Sequence, residues 1–161
     1  MNLSTSLWLF QAVHAIGFAV WLSIAAINNC RCFAASAAAV GGTMSMALLR
    51  TAPAVETPLL ARAIASTAVH RAALLMVLAL QIAAALACWV GSFELFFGAG
   101  LAGARPWLNM ALSAFAAFLF AMHVGGIWFA YWIRQETLQL THLSLLMWVM
   151  AAFFLFNLRW Q

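Results

Sequence analysis

The sequence predicts an all-α membrane protein in which four transmembrane helices form a bundle. Hydrophobic residues make up 68% of the 161 residues and charged residues only 6%, and the mean hydropathy is +1.04. A soluble domain carries about 25% charged residues, so this chain has too few charged side chains to face water on all sides. Four apolar stretches also reach the roughly 20 residues that a helix needs to cross a bilayer.

The four predicted spans are residues 6–28, 69–92, 107–133 and 138–158, within a single domain (1–161) that shows no internal repeat. The first span has no Lys or Arg before its apolar run, and Gln11 and His14 interrupt that run. It is also longer than the hydrophobic region of a signal peptide. We therefore expect the first span to be kept as a membrane helix.

The region between the first two spans, residues 29–68, is predicted to be a long loop that is partly embedded in the membrane. It contains one apolar segment, 33–49, which is short and is divided by Gly41 and Gly42. A segment of this length is more typical of a re-entrant or interfacial element than of a span. We therefore predict four spanning helices and not five.

Tryptophan positions support four helices. We call the membrane side that carries the N-terminus side A, and the opposite side is side B. Four tryptophans then fall at the side-A ends of their helices and two near the side-B end of the third: Trp8, Trp89, Trp107 and Trp160, and Trp128 and Trp132. Aromatic belts at both interfaces are expected of spanning helices. A fifth helix would place Trp8 and Trp160 on opposite sides.

All the basic side chains are arginines, and their distribution predicts the orientation. Five lie on side B and two on side A: Arg31, Arg50, Arg62, Arg71 and Arg134, and Arg105 and Arg159. Because cytoplasmic loops carry the excess of basic residues, this count predicts that side B is cytoplasmic. The arginines are spread along the chain and form no basic patch, so we expect no nucleic-acid partner.

Small residues recur at every fourth position, which predicts close packing between helices. On the second span these residues are Ala79, Ala83, Ala87 and Gly91, and on the third they are Ser113, Ala117, Ala121 and Gly125. The fourth span has no such ridge. Its bulky face, "LLMWVMAAFFLF", is suited to lipid or to a large protein partner.

The positions of the three acidic residues exclude several classes of function. Glu56, Glu94 and Glu136 all lie in loops or at interfaces. Proton and cation pathways need acids within the membrane, so pumps, ion-coupled transporters and proton channels are not expected. The chain also lacks a Ser-His-Asp set, a phosphate-binding loop and paired carboxylates, so we expect no catalytic activity. Cys30-Arg-Cys32 is too weak a signal for a metal site.

Histidines carry the one cofactor hypothesis. His70, His142 and His123 are predicted to share the side-B half of the membrane, at different depths. His70 and His142 could be the axial pair of a haem b, with His123 as the alternate ligand, and a quinone is a second possibility. The simpler interpretation is that each imidazole forms a hydrogen bond with a neighbouring helix or with water. We prefer that interpretation and expect no cofactor.

Several short motifs resemble a known family. In order they are "INN" (27–29), "VGGTMSMALLRTAP" (40–53), "ARAI" (61–64), "HRAALLMVLALQ" (70–81) and "GGIWFAYW" (125–132). They resemble the bacterial "predicted small integral membrane protein" family, a four-helix group without an assigned activity. Relatives carry acids at four places where this chain has Cys32, Ala47, Gln81 and Ile127. The resemblance implies a fold but no reaction, and it covers residues 20–135.

Taken together, these observations predict a non-catalytic accessory or anchor subunit of a larger membrane complex, such as a respiratory or other redox assembly. The partners would be the lipid bilayer and other membrane subunits, and the location would be the bacterial cytoplasmic membrane. Two alternatives remain. One is a haem b- or quinone-binding subunit for electron transfer, and the other is a small-solute or lipid transporter.

Overall fold

The protein is a bundle of helices. The computed structural model describes residues 2–158, and all regular structure in that range is helical. In chain order the elements are α1 (Leu3–Arg31), α2 (Phe33–Met44), α3 (Ala47–Arg50), a 3₁₀ turn (Pro58–Arg62), α4 (Thr67–Phe97), α5 (Leu101–Trp128), a second 3₁₀ turn (Tyr131–Ile133) and α6 (Glu136–Asn157). Within this range α1, α4, α5 and α6 are long and apolar enough to cross a membrane, which confirms the four-helix prediction. Arg159 and Trp160 lie outside the described residues.

Polar contacts tie neighbouring helices together at both ends of the bundle. The Asn29 amide on α1 donates to the Gln81 carbonyl oxygen on α4 at 2.9 Å. Near side A, the Gln11 amide on α1 donates to the backbone carbonyl of Leu155 on α6 at 3.0 Å. Both contacts fit antiparallel neighbours. The tight connection between α4 and α5 uses Gly100, whose φ of +65° favours glycine.

The prediction of a long loop between the first two spans is wrong. Residues 33–44 form helix α2, which follows α1 after a break at Cys32. Alanine is the best helix former, and this segment is rich in it. Gly41 lies within this helix, and its missing side chain lets the His70 ring pack where a Cβ would overlap it. The predicted re-entrant or interfacial segment at 33–49 is therefore mainly a helix packed on α4.

Residues 44–64, which we call the cap, fold over the side-B end of the bundle. They share a hydrophobic cluster with the α5–α6 connection that centres on Met46, Leu49, Phe129 and Ala130. The backbone N–H of Ile64 also donates to the carbonyl of Met44 at 2.8 Å, which closes the cap onto the end of α2. The side-B end is therefore covered by ordered structure.

The main core lies in the middle and side-A part of the bundle and is built from aromatic rings. Phe18 on α1 lies 4.2 Å from Trp148 on α6 and 5.8 Å from Phe115 on α5, measured between ring centroids. Phe115 also stacks on Trp21 at 5.2 Å. Offset and edge-to-face ring pairs of this kind fill space densely.

Small residues do not form the ridge that the sequence predicts. Ala87 and Gly91 are buried on α4, and a Cβ at Gly91 would lie 2.8 Å from Leu108. The remaining positions differ: Ala79, Ala83, Ser113 and Ala117 are exposed, and Ala121 and Gly125 are half-buried. The ridge along the third span is therefore wrong. Alanine is so common here that its every-fourth spacing also occurs on outward faces.

Candidate ligand-binding cavity

A cavity of about 490 Å³ lies between α2, α4, α5 and α6 in the side-B half of the bundle. Its volume falls within the range of roughly 300–1,000 Å³ that is typical of small-molecule sites. The walls are mostly apolar, and seven polar side chains line them: Asn29, Ser36, Thr43, Gln81, Tyr131, Gln135 and His142. An apolar cavity with a few polar groups is the usual form of a binding site for a lipophilic molecule.

His142, on the second turn of α6, has a polar atom without a partner. Its side chain is only 6% exposed, and its Nδ1 atom forms no hydrogen bond. A buried polar group without a partner costs about 1–3 kcal/mol. Within the described residues, Ser92 Oγ is the other side-chain atom of this kind, and Ser92 does not line the cavity.

Tyr131 links His142 to α5. Its hydroxyl lies 2.6 Å from Nδ1 of His123, and its ring stacks on the His142 ring with centroids 6.0 Å apart. Ala130 follows the end of α5. Its left-handed backbone, with φ of 55°, begins the 3₁₀ turn that carries Tyr131. Burial raises the pKa of the Tyr131 phenol above its usual value, so the hydroxyl stays neutral at physiological pH.

Gly126 is the residue that allows this arrangement. A Cβ at that position would lie 2.6 Å from the Tyr131 ring. In contrast, a Cβ at Gly125 would have nothing within 4 Å, and Gly125 lines the cavity. The first glycine of the pair therefore leaves space in the cavity, and the second lets the Tyr131 ring approach the helix backbone.

Two amide side chains face the cavity with donors left over. Gln81 accepts from Asn29 through Oε1, and Gln135 accepts from the Thr43 hydroxyl through Oε1 at 3.0 Å. Each glutamine amide has two N–H donors, and these are left for another partner. The contact between Asn29 and Gln81 also joins α1 to α4.

The structure does not assemble the predicted haem ligands. His70 does not line the cavity, its Nε2 atom lies 2.8 Å from the carbonyl of Ile64, and its ring packs on Gly41. His70 therefore holds α2 and the cap in place and does not share the cavity with His142, and the haem pair stays a prediction. The guanidinium of Arg134 donates to the carbonyl of Pro53 and so joins the α5–α6 connection to the cap.

His123, the proposed alternate ligand, is held by Tyr131. Among residues 2–158, no three His, Cys, Asp or Glu side chains lie close enough together to hold a metal ion. The cavity is therefore suited to hydrogen bonding within an apolar pocket.

Sequence reasoning missed Tyr131 and Gln135. Tyr131 is the only tyrosine in the chain, and it lies between Trp128 and Trp132, which the sequence assigns to an interfacial aromatic belt. One signal could have found this wall of the cavity. Gln135, Leu138 and His142 are spaced three and four residues apart, which places them along one face of a helix.

Comparison with known proteins agrees with the motif resemblance. The sequence profile of the family described as "predicted small integral membrane protein (DUF2165)" matches residues 7–159, beyond both ends of the region that the motifs cover. No curated protein and no solved structure matches the chain at a significant level. The family match covers nearly the whole chain and agrees with four membrane-length helices. The protein therefore belongs to this family of integral membrane proteins.

Proposed function

We propose that this protein binds a small lipophilic molecule with a polar group in the cavity between α2, α4, α5 and α6. The observation that carries the proposal is the buried imidazole of His142, which lines a cavity of about 490 Å³ and forms no hydrogen bond with the protein. Buried polar groups in native structures usually have a hydrogen-bond partner. A ligand in the cavity would supply one.

The lining residues also indicate the charge of the ligand. Within the described part of the chain, no Arg or Glu side chain lines the cavity. A charged ligand would therefore lose its hydration without gaining an ion pair, which is unfavourable in an apolar site. The apolar walls formed by residues such as Leu74, Val77 and Met122 favour a neutral molecule that partitions into the bilayer.

A pair of glycine substitutions tests this proposal. Gly125→Leu adds a side chain at the cavity wall, and Gly17→Leu adds the same side chain at an exposed position of α1. Neither Cβ would meet another atom within 4 Å, so both variants should fold. Proteins purified in mild detergent are extracted with organic solvent and analysed by mass spectrometry.

We expect one lipophilic compound, close to one molecule per chain, in the wild type and in Gly17→Leu, and its loss from Gly125→Leu. Equal amounts in all three proteins, or no bound compound in the wild type, would contradict a ligand site in the cavity.

The accessory role in a larger complex stays a second candidate. The exposure of α6 supports this role. Of the residues in its 18-residue apolar stretch, 22% are buried within the chain, against 33–44% in the corresponding stretches of α1, α4 and α5. A partner subunit in the bacterial cytoplasmic membrane could cover the exposed face, which includes Met147 and Phe154. Blue-native electrophoresis of mildly solubilised membranes tests this candidate. Migration at the mass of the single chain would oppose it.

A further inference from the structure

Three groups in the cavity wall can donate hydrogen bonds to a ligand. Gln81 and Gln135 have each used a carbonyl oxygen on a protein partner, so their N–H groups remain available. The His142 imidazole forms no hydrogen bond with the protein, and a neutral imidazole carries one N–H donor. A ligand that pairs with these groups presents hydrogen-bond acceptors.

Two of these groups lie on the same wall of the cavity. Gln135 directly precedes α6 and His142 lies on its second turn, and both side chains line the cavity. A ligand with two separate acceptors can therefore pair with both groups at once.

The apolar lining is suited to a flat ring. The Tyr131 ring stacks on His142 at the cavity wall, and Phe129 contributes a third ring to the lining. Three methionines, Met44, Met76 and Met122, also line the cavity. Methionine side chains are adaptable and form favourable sulfur contacts with aromatic rings.

We infer that the ligand is a quinone: a neutral, lipid-soluble ring whose opposite carbonyl oxygens accept hydrogen bonds from His142 and Gln135. This inference rests on the proposed function of the cavity and adds the chemical class of the ligand. It concerns binding alone, with the ring between α5 and α6 and its apolar tail directed to the lipid.

The test uses two probes that differ only in the carbonyl groups, decylbenzoquinone and decylbenzene. Binding to the full-length protein in lipid nanodiscs is measured by isothermal titration calorimetry. We expect the wild type, with two hydrogen bonds to the quinone, to bind decylbenzoquinone about thirtyfold more tightly than decylbenzene. His142→Phe keeps a ring against Tyr131 but removes one donor, so it should weaken quinone binding about fivefold and leave decylbenzene binding unchanged.

The matched control is His14→Phe, because His14 bonds within its own helix to the carbonyl of Phe10 and does not line the cavity. It should bind both probes like the wild type. If both probes bind the wild type equally, or if His142→Phe leaves quinone binding unchanged, the quinone assignment is wrong while the cavity still binds lipophilic molecules. If neither probe binds, the proposed function fails with it.

Discussion

The two halves of the bundle differ in how their interiors are filled. Towards side A, the helices meet through large side chains such as Phe18, Phe115 and Phe118, and Gly91 lets Leu108 approach closely. Towards side B, the same helices separate around a cavity of about 490 Å³ that is lined partly by polar groups. The first half gains dispersion contacts, whereas the second loses them along the cavity wall.

This difference assigns separate tasks to the two halves. The aromatic half holds the four spans together, and the cap closes the open half over His70 and Tyr131. Binding sites commonly keep polar groups and empty space that lower stability. The contrast between the halves can be tested with matched substitutions.

The largest expected effect comes from truncating one leucine in each half. Leu108 is buried in the aromatic half and contacts Gly91, whereas Leu74 is equally buried but lines the cavity. We expect Leu108→Ala to lower the free energy of unfolding by about 2–4 kcal/mol and Leu74→Ala by about 1–2 kcal/mol, since its side chain already lacks neighbours on one side. SDS-induced unfolding followed by circular dichroism measures both. Equal losses would contradict the comparison.

The next effect separates the two glycines of the "GGIWFAYW" motif. Gly126→Ala places a Cβ 2.6 Å from the Tyr131 ring, and overpacking of this kind costs about 1–3 kcal/mol. Gly125→Ala meets nothing within 4 Å and removes a flexible glycine from a helix, so it should leave the protein as stable as the wild type or slightly more stable. Melting temperatures in the same detergent compare the two. A melting temperature of Gly125→Ala below that of the wild type would support the predicted packing ridge at Gly125.

A smaller effect concerns the two unpaired buried atoms. His142→Phe and Ser92→Ala each remove a polar atom without a partner. Both should therefore melt at or above the wild-type temperature, by about 1 kcal/mol of added stability. His142 lines the cavity and Ser92 does not, so only the first should alter ligand binding. A large loss of stability in His142→Phe would show that its ring holds the fold.

The smallest effect is a dependence of stability on alkaline pH. Burial raises the pKa of Tyr131 in the folded protein, whereas the unfolded phenol titrates near pH 10. Below that pH both states keep the proton, and above it the unfolded state loses the proton first. Stability should therefore fall as pH rises above about 10.

This pH dependence should be weaker in Tyr131→Phe. Because the chain has a single tyrosine, absorbance of phenolate in the folded protein follows Tyr131 alone. A titration midpoint at or below the usual tyrosine value would oppose a buried Tyr131.

The sequence predicted the four spans well because hydropathy and length alone determine them. It failed at the 29–68 region, since Gly41 and Gly42 were taken as helix breakers. Within α2, Gly41 instead makes room for the ring of His70, which lies 29 positions further along the chain, and no local pattern shows that contact. The hydropathy pattern also predicts that the third helix ends at 133. In the structure α5 ends at Trp128, and the left-handed Ala130 follows shortly after.

The candidate site was only partly predictable. Composition pointed to the histidines and to the glycine pair, but it could not show which ring nitrogen is already bonded. His70 is bonded to Ile64 and His123 to Tyr131, which leaves His142. These pairings depend on the tertiary packing of α4, α5 and α6, which no local pattern in the sequence reports.

The wall formed by α6 has a consequence for biosynthesis. Chains emerge from the ribosome in order, and α6 is made after α1, α4 and α5. Those three spans, α2 and the cap can assemble before it, but His142 and the face that carries Leu138 arrive only with this 22-residue helix. The cavity is therefore completed only when α6 has inserted. A chain that stops short of α6 would lack a wall of its cavity, so a bound ligand would mark the insertion of α6.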